Sequence, residues 1–340
     1  MMKIIFLLIM VSSALMLCSS CKKQNEAVPL VLQKPLEHSA EYYANLRAYK
    51  SRPHEVFFGW WSNPRASTDQ MSLNFLAIPD SVDMVSLVSG VPVKGSEAYN
   101  QMQYCREVKG TKFLIFSNTD SELLNRWSGV DFEETYDNKG DSVLKAGFDM
   151  VAKIIYDTAV ENGMDGLDMD HEPSFCGCGA VWGPTRDVRK FRMYINSLAK
   201  YFGPKSGTGK ILDVDGEWYR ISPGLVDSID YGVEQAYNAN AAGLQTRYRT
   251  GSASTLLPPG KFIATETIQG QSDGGINFVD PIHGTIPSLL GFAYWQPVQG
   301  KKGGAGAWLF NTDYFSTPVP YRYVREAIQI MNPAVAPQIR

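Results

Sequence analysis

The 340-residue sequence predicts an α/β fold, a single-domain (β/α)8 barrel of the TIM type. Eight short apolar runs of strand type alternate with helix-length segments over about 280 residues, the pattern of that barrel. One of these runs ends in a row of carboxylates and leads into a Gly/Cys-rich loop, the end at which such a barrel places its binding loops. The competing arrangement is an open doubly wound sheet. No Gly-rich phosphate turn follows the first run, which argues against its nucleotide-binding version.

The first residues read as an export segment. Lys3 is the positive start, Ile4 to Leu17 an apolar stretch of signal-peptide length, and Leu17-Cys18-Ser19-Ser20-Cys21 resembles a bacterial lipobox. Residues 1–20 are therefore expected to be a lipoprotein signal peptide, with Cys21 carrying the lipid. Several acyl chains on one Cys anchor a protein stably, where one chain binds only marginally. Residues 21–52 are polar and Pro-containing, expected as a tether leading into a helix around Ser39 to Ala48; the catalytic domain is expected over 53–340.

Val56 to Trp61 is the first expected strand, followed by a helix from Ser67 to Leu76 with Met71, Phe75 and Leu76 inward. Met84 to Val88 is the second strand. Ala98, Met102, Cys105 and Val108 step at helical spacing, and Gly110 stops that helix. Lys112 to Ser117 is the third strand, followed by a polar insertion from Asn118 to about Asp141. Val143 to Asn162 carries the clearest helical stripe, with Leu144, Phe148, Val151, Ile154 and Ile155 on one side and Gly163 as the stop. The acidic strand is the fourth, with the loop 174–186 at its end. Another amphipathic helix is marked by Phe191, Tyr194, Ile195, Leu198 and Phe202. Lys210 to Gly216, Tyr231 to Asn238, Lys261 to Glu266 and Gly306 to Phe310 are strands five to eight, and Tyr323 to Ile330 is the closing helix.

The fourth strand reads Asp165-Gly166-Leu167-Asp168-Met169-Asp170-His171-Glu172-Pro173. Side chains alternate along a strand, so Asp168, Asp170 and Glu172 share one face. A strand after a long amphipathic helix is interior, and three buried carboxylates in a row repel one another. Such crowding raises the pKa of at least one of them, which suits a general acid. The competing readings are a calcium loop and a solvated acidic edge; an EF-hand needs its Gly where Pro173 stands. His171 falls on the opposite face, toward the helices, and Asp165 closes the turn out of the preceding helix.

The stretch Asp165 to Glu172 matches DGxDxDxE, and the chain resembles family 18 glycoside hydrolases, the chitinases and endo-β-N-acetylglucosaminidases. With the lipobox, it looks most like lipoprotein endo-β-N-acetylglucosaminidases of Bacteroides-type bacteria. The resemblance implies a retaining hydrolase without cofactor in which the substrate's own N-acetyl oxygen attacks the anomeric carbon, in place of a second carboxylate. It implies Glu172 as the proton donor, Asp170 as the group that holds the acetamide N–H, and Asp168 as the acid sharing a proton with Asp170. Gln235-Ala236-Tyr237-Asn238 resembles the family's sixth-strand motif, which implies Tyr237 as the hydroxyl on the acetamide oxygen. Gln235 and Asn238 accompany it as sugar-binding candidates, and Trp308 resembles the floor under the reacting sugar. Glu266, Trp60, Trp182 and Trp295 are further candidates for the cleft. Many family members carry SxGG on the third strand; here it reads Phe116-Ser117-Asn118-Thr119, which leans from chitinase toward endoglycosidase.

A net charge of -3 gives no basic face for nucleic acid. Cys105, Cys176 and Cys178 are too few and too poorly spaced for a zinc site, and no metal is expected. Free thiols are expected, with a bridge from Cys105 to either partner left open. The expected function is cleavage of the chitobiose core of N-glycans by a lipid-anchored enzyme of the bacterial outer membrane. The alternatives are a chitinase or another N-acetylglucosaminidase, and a glycan-binding lipoprotein that keeps the barrel without turnover.

Overall fold

The computed structural model describes residues 37–119, 121–174, 188–271 and 273–334. Eight parallel strands close into a barrel: β1 (Val56–Trp61), β2 (Met84–Leu87), β3 (Lys112–Asn118), β4 (Gly166–His171), β5 (Ile211–Gly216), β6 (Tyr231–Gln235), β7 (Phe262–Thr267) and, after an antiparallel hairpin of β8 (Asn277–Asp280) and β9 (Gly284–Pro287), β10 (Gly304–Trp308). Neighbours follow chain order, and β10 closes on β1 through Val56↔Gly304 to Gly59↔Ala307. The barrel is the one expected from the alternation of strand and helix signals.

Strand periodicity divides the buried residues into two sets. Val56, Phe58, Trp60, Met84, Leu114, Val233 and Ile263 point inward and fill the barrel. The alternate positions, such as Phe57, Phe113, Leu167, Met169, Leu212 and Ala264, point outward into a larger layer shared with the helices. That layer is covered by α1 (Ala40–Lys50), α2 (Glu97–Tyr104), α3 (Ser121–Ser128), α4 (Phe132–Thr135), α5 (Asp141–Glu161), α6 (Val188–Leu198), α7 (Ala241–Thr255), α8 (Ser288–Tyr294) and α9 (Arg322–Met331). Helix α5 presents Leu144, Phe148, Val151 and Ile155 inward, as its spacing requires.

Several local expectations are corrected. The compact body begins at Glu37 and includes α1, which lies where a helix was expected around Ser39 to Ala48. Tyr43 is buried, Lys50 Nζ donates to Val82 O at 2.6 Å, and Arg47 donates to Val108 O at 2.6 Å. The helix expected over 67–76 is a pair of 3-10 turns, Met71–Leu73 and Phe75–Ala77. The Asn63 amide takes the carbonyls of Ser67 and Leu73, and the Asn74 side chain caps Leu76 N, so side chains occupy the groups a helix needs. The connection after β5 likewise holds 3-10 turns, Trp218–Arg220 and Pro223–Ser228.

The polar insertion contains α3 and α4. The last barrel strand is Gly304–Trp308, two residues earlier than expected. Leu309 turns left-handed at φ 47° and sends Phe310 outward, against the bare Cα of Gly59. The hairpin and α8 were not legible from periodicity, being too short to show a period. Cys105 is a buried free thiol pushed up to about 11 by burial, which makes it inert; Cys21, Cys176, Cys178, Trp182 and most of the loop 174–186 lie outside the described residues.

Candidate active site

The inner face of β4 carries Asp168, Asp170 and Glu172 in line, from the barrel interior to its C-terminal mouth. Asp168 is fully buried, and the indole N–H of Trp60 donates to its Oδ2 at 2.9 Å. Trp60 is thus a support beneath the site; 0% exposed, it offers no face to a sugar, contrary to expectation. Burial raises Asp168 above the usual carboxylate range, and the Trp60 indole bond offsets part of that rise. Burial, then the charges of Glu172 and Asp168, push Asp170 well up. Its buried Oδ1 has no hydrogen-bond partner among the described residues. Burial, then Glu217, raise Glu172 above the usual carboxylate range, the direction that suits a general acid.

From β6 the chain brings two further expected residues to the same place. Gln235 faces inward and donates through Nε2 to Asp215 Oδ2 at 2.8 Å. The strand stops there, and Tyr237 follows on the turn. Burial and the carboxylates of Asp215, Glu172, Asp170 and Asp168 hold its phenol far from ionising, so it stays a neutral donor beside the acids. Asn238 is exposed, left-handed at φ 60°, with its backbone N–H given to Glu266. Trp308, at the end of β10, stands half-buried over Trp60 with ring centroids 5.5 Å apart; its indole N–H reaches Gln269. It is the aromatic face at the mouth.

Other candidates are placed elsewhere. Glu266 follows the outward set of β7 with Phe262 and Ala264. It is 0% exposed, and its Oε1 accepts from Asn238 N at 2.8 Å and Thr267 N at 2.7 Å. It braces the turn after Tyr237 and touches no cleft. Trp295 packs on Phe262 in the helix layer, at 6.1 Å between rings. His171 stacks on Phe191 at 3.5 Å and meets Thr119 Oγ1 at 3.0 Å, outside the barrel as its face predicts. Asp165 receives the Arg106 guanidinium and Phe113 N, closing the turn into β4.

Three acids were missed. On β5, Asp213, Asp215 and then Glu217 repeat the spacing of Asp168, Asp170 and Glu172. The pairing Asp168↔Asp213 and Asp170↔Asp215 sets the two rows side by side. The signal was visible as a second DxDxE in Asp213-Val214-Asp215-Gly216-Glu217, but only the pairing of β4 with β5 gives it meaning. Gly216 is needed here: it sits at φ 76°, and a Cβ on it would lie 2.6 Å from Glu172 Cγ. Among the described residues no group of His, Cys, Asp and Glu is arranged to hold a metal ion.

The arrangement brings the Glu172 carboxyl to the mouth beside the Asp170 carboxyl and the neutral Tyr237 phenol. The family model described as Glycoside hydrolase family 18, BT1044-like, matches residues 24–330. The endo-beta-N-acetylglucosaminidase F2 of Elizabethkingia meningoseptica is 29% identical over 321 residues, covering 87% of each chain. Two solved structures share the fold. One is a selenomethionine BT1044 protein with a Glu-to-Gln substitution (TM-score 0.72, 24% identity, 86% of this chain and 93% of that one). The other is the apo endo-beta-N-acetylglucosaminidase of Cordyceps militaris (TM-score 0.65, 20% identity, 88% and 98%). With the family model spanning nearly the whole described barrel and the DGxDxDxE strand at its centre, the chain belongs to glycoside hydrolase family 18, BT1044-like.

Proposed function

We propose that this family 18 hydrolase is an endo-β-N-acetylglucosaminidase that cuts the chitobiose core of N-glycans, leaving one N-acetylglucosamine on asparagine. The observation that carries the reading is the alignment of Asp170 and Glu172 on one face of β4, with Tyr237 beside them and a buried Asp170 oxygen lacking a protein donor. An acetamide N–H supplies that donor, and the Tyr237 hydroxyl fits its carbonyl oxygen. Held there, the acetamide oxygen attacks the anomeric carbon while Glu172 protonates the departing glycosidic oxygen. Asp170 stabilises the positive charge of the oxazolinium-like ring. Glu172, now a carboxylate, takes a proton from water, which opens that ring with overall retention. Trp308 lies under the sugar whose bond breaks.

The related endo-beta-N-acetylglucosaminidases support the choice of substrate. So does the absence of SxGG on β3, where Ser117 accepts the Trp127 indole N–H at 3.1 Å. Among the described residues no helix is long and apolar enough to cross a membrane. The lipobox supports attachment through acylated Cys21 to the outer membrane.

The test is to incubate the mature protein with high-mannose and complex-type glycoproteins and with chitin oligomers in parallel, and read products by mass spectrometry. A single-sugar remnant on a glycoprotein is expected. Cleavage of chitin oligomers alone gives the chitinase reading instead, and saturable binding without cleavage gives a glycan-binding protein. For the anchor, Cys21→Ala is expected to move the protein to the soluble fraction; an unchanged membrane fraction refutes it.

A further inference from the structure

We propose that β5 supplies a second row of acids that positions the catalytic row of β4: Asp213 and Asp215 are neutral acids donating hydrogen bonds to Asp168, and Glu217 is the fixed anion that keeps the proton on Glu172. The proposal rests on β4 being the catalytic strand.

Geometry leads to it. Asp213 is fully buried directly opposite Asp168, and neither of its carboxyl oxygens meets an N–H or hydroxyl donor of the protein. Across the ladder it faces Asp168, whose buried Oδ1 likewise meets no donor among the described residues. Two carboxyls share a hydrogen bond only when one of them carries the proton. Asp215 spends Oδ2 on the Gln235 amide, and its buried Oδ1 meets no donor among the described residues, which leaves it to turn a proton toward Asp168. Asp168 already accepts from Trp60, so it is the common acceptor and therefore the anion. Burial and the neighbouring carboxylates push Asp213 and Asp215 well up, which agrees with both being protonated. The strongest charges acting on them are other carboxylates, so protons are what neutralise the row. Asp168 can then hold one charge behind Asp170 without a second buried anion beside it.

The outer pair works in the opposite sense. The register His171↔Gly216 brings Glu172 next to Glu217, and the missing Cβ of Gly216 leaves room for the Glu172 side chain. Glu217 is buried, but Ser174 N and the Arg220 guanidinium donate to its two oxygens, and those bonds hold it below the usual carboxylate range despite burial. The groups seen to act on or with Glu172 include Asp170 on its own strand, Glu217 after β5 and Tyr237 after β6, with Arg220 bound to Glu217. An anchored anion at that distance makes Glu172 costly to ionise.

Infrared spectroscopy and carboxyl-carbon NMR test this without relying on turnover, so a failure of the substrate assignment leaves the readouts valid. At neutral pH the wild-type protein is expected to show the carbonyl band of protonated carboxylic acids, part of which disappears in Asp213→Asn and part in Asp215→Asn. A band unchanged in both variants overturns the neutral-acid assignment. The midpoint of Glu172, identified by its loss in Glu172→Gln, is expected to fall in Glu217→Gln and to rise in Arg220→Gln. Both variants break the same bond, so shifts in the same direction, or none, reduce Glu217 to a structural role and overturn the second half. In the active enzyme, kcat is expected to stay within about tenfold for Asp215→Asn, which keeps a neutral donor, and to drop about a hundredfold or more for Asp215→Ala. Equal losses overturn the donor role.

Discussion

At the scale of single residues, the site turns on where one proton sits. Glu172→Gln keeps the shape and removes the proton, so turnover is expected to fall by about 10²–10⁴ with glycan binding retained, measured as kcat against the dissociation constant of an intact glycan. Asp170→Asn removes the carboxyl that accepts the acetamide N–H and can take up charge as the oxazolinium-like ring forms. It is expected to hydrolyse poorly while still transferring glycan from a supplied sugar oxazoline to an N-acetylglucosamine acceptor. Failure of the oxazoline to react in either protein would remove substrate assistance. The pH profile follows from the direction of the shifts. Glu172 must be protonated to act, and its pKa is raised by burial and Glu217, so the alkaline limb of kcat/KM is expected above the ordinary carboxylate range.

At the scale of elements, function depends on how neighbouring strands and helix ends meet. Gly216 closes β5 at φ 76° and leaves space for Glu172. Gly216→Ala is expected to displace the proton donor, lowering kcat about a hundredfold, and to lower stability by about 1 kcal/mol or more, read from activity and thermal melts of the same sample. The seam where β1 meets β10 is held by Glu55. Its carboxylate takes the Lys302 ammonium at 2.7 Å and the Gln296 amide at 2.9 Å, while its backbone N–H and carbonyl pair with Asn332 after α9. The Lys302 side chain is fully buried. Glu55→Ala strands that cation, and a loss of about 3–5 kcal/mol is expected in denaturant unfolding. A loss below about 1 kcal/mol would show that the seam draws its stability from packing instead.

For the whole molecule, a barrel interior half filled with acids sets a pH dependence of folding. Burial raises Asp170, Asp213 and Asp215 in the folded protein above their unfolded values. Their neutral forms are the ones the fold prefers. Their contribution to stability is therefore complete below about pH 4 and is lost as pH rises through the raised values. Thermal melts from about pH 5 to about pH 9 are expected to show declining stability, with a shallower decline in Asp213→Asn, which cannot ionise. An equal slope in both proteins would mean that Asp213 is already charged in the native state.

The sequence by itself determined the barrel and the catalytic strand, because both are written in short-range periodicity. Alternation of strand and helix signals specifies the topology, and the period of two puts Asp168, Asp170 and Glu172 on one face with no knowledge of the rest of the chain. The positions of Tyr237 and Trp308 at the mouth were also legible, since Trp308 ends β10 and Tyr237 stands on the turn just past β6. Which face of a strand looks into the barrel, and which strand lies beside which acid, are decided by closure of the sheet. Tertiary structure thus turned Glu266 outward to brace a turn, sank Trp60 under Asp168, and exchanged the helix expected at 67–76 for side-chain-capped turns. It also set Asp213, Asp215 and Glu217 against the catalytic row. These residues are about forty-five positions from their partners in the chain, and only the ladder between β4 and β5, with the burial that removes water from it, converts two separate acidic runs into one electrostatic unit.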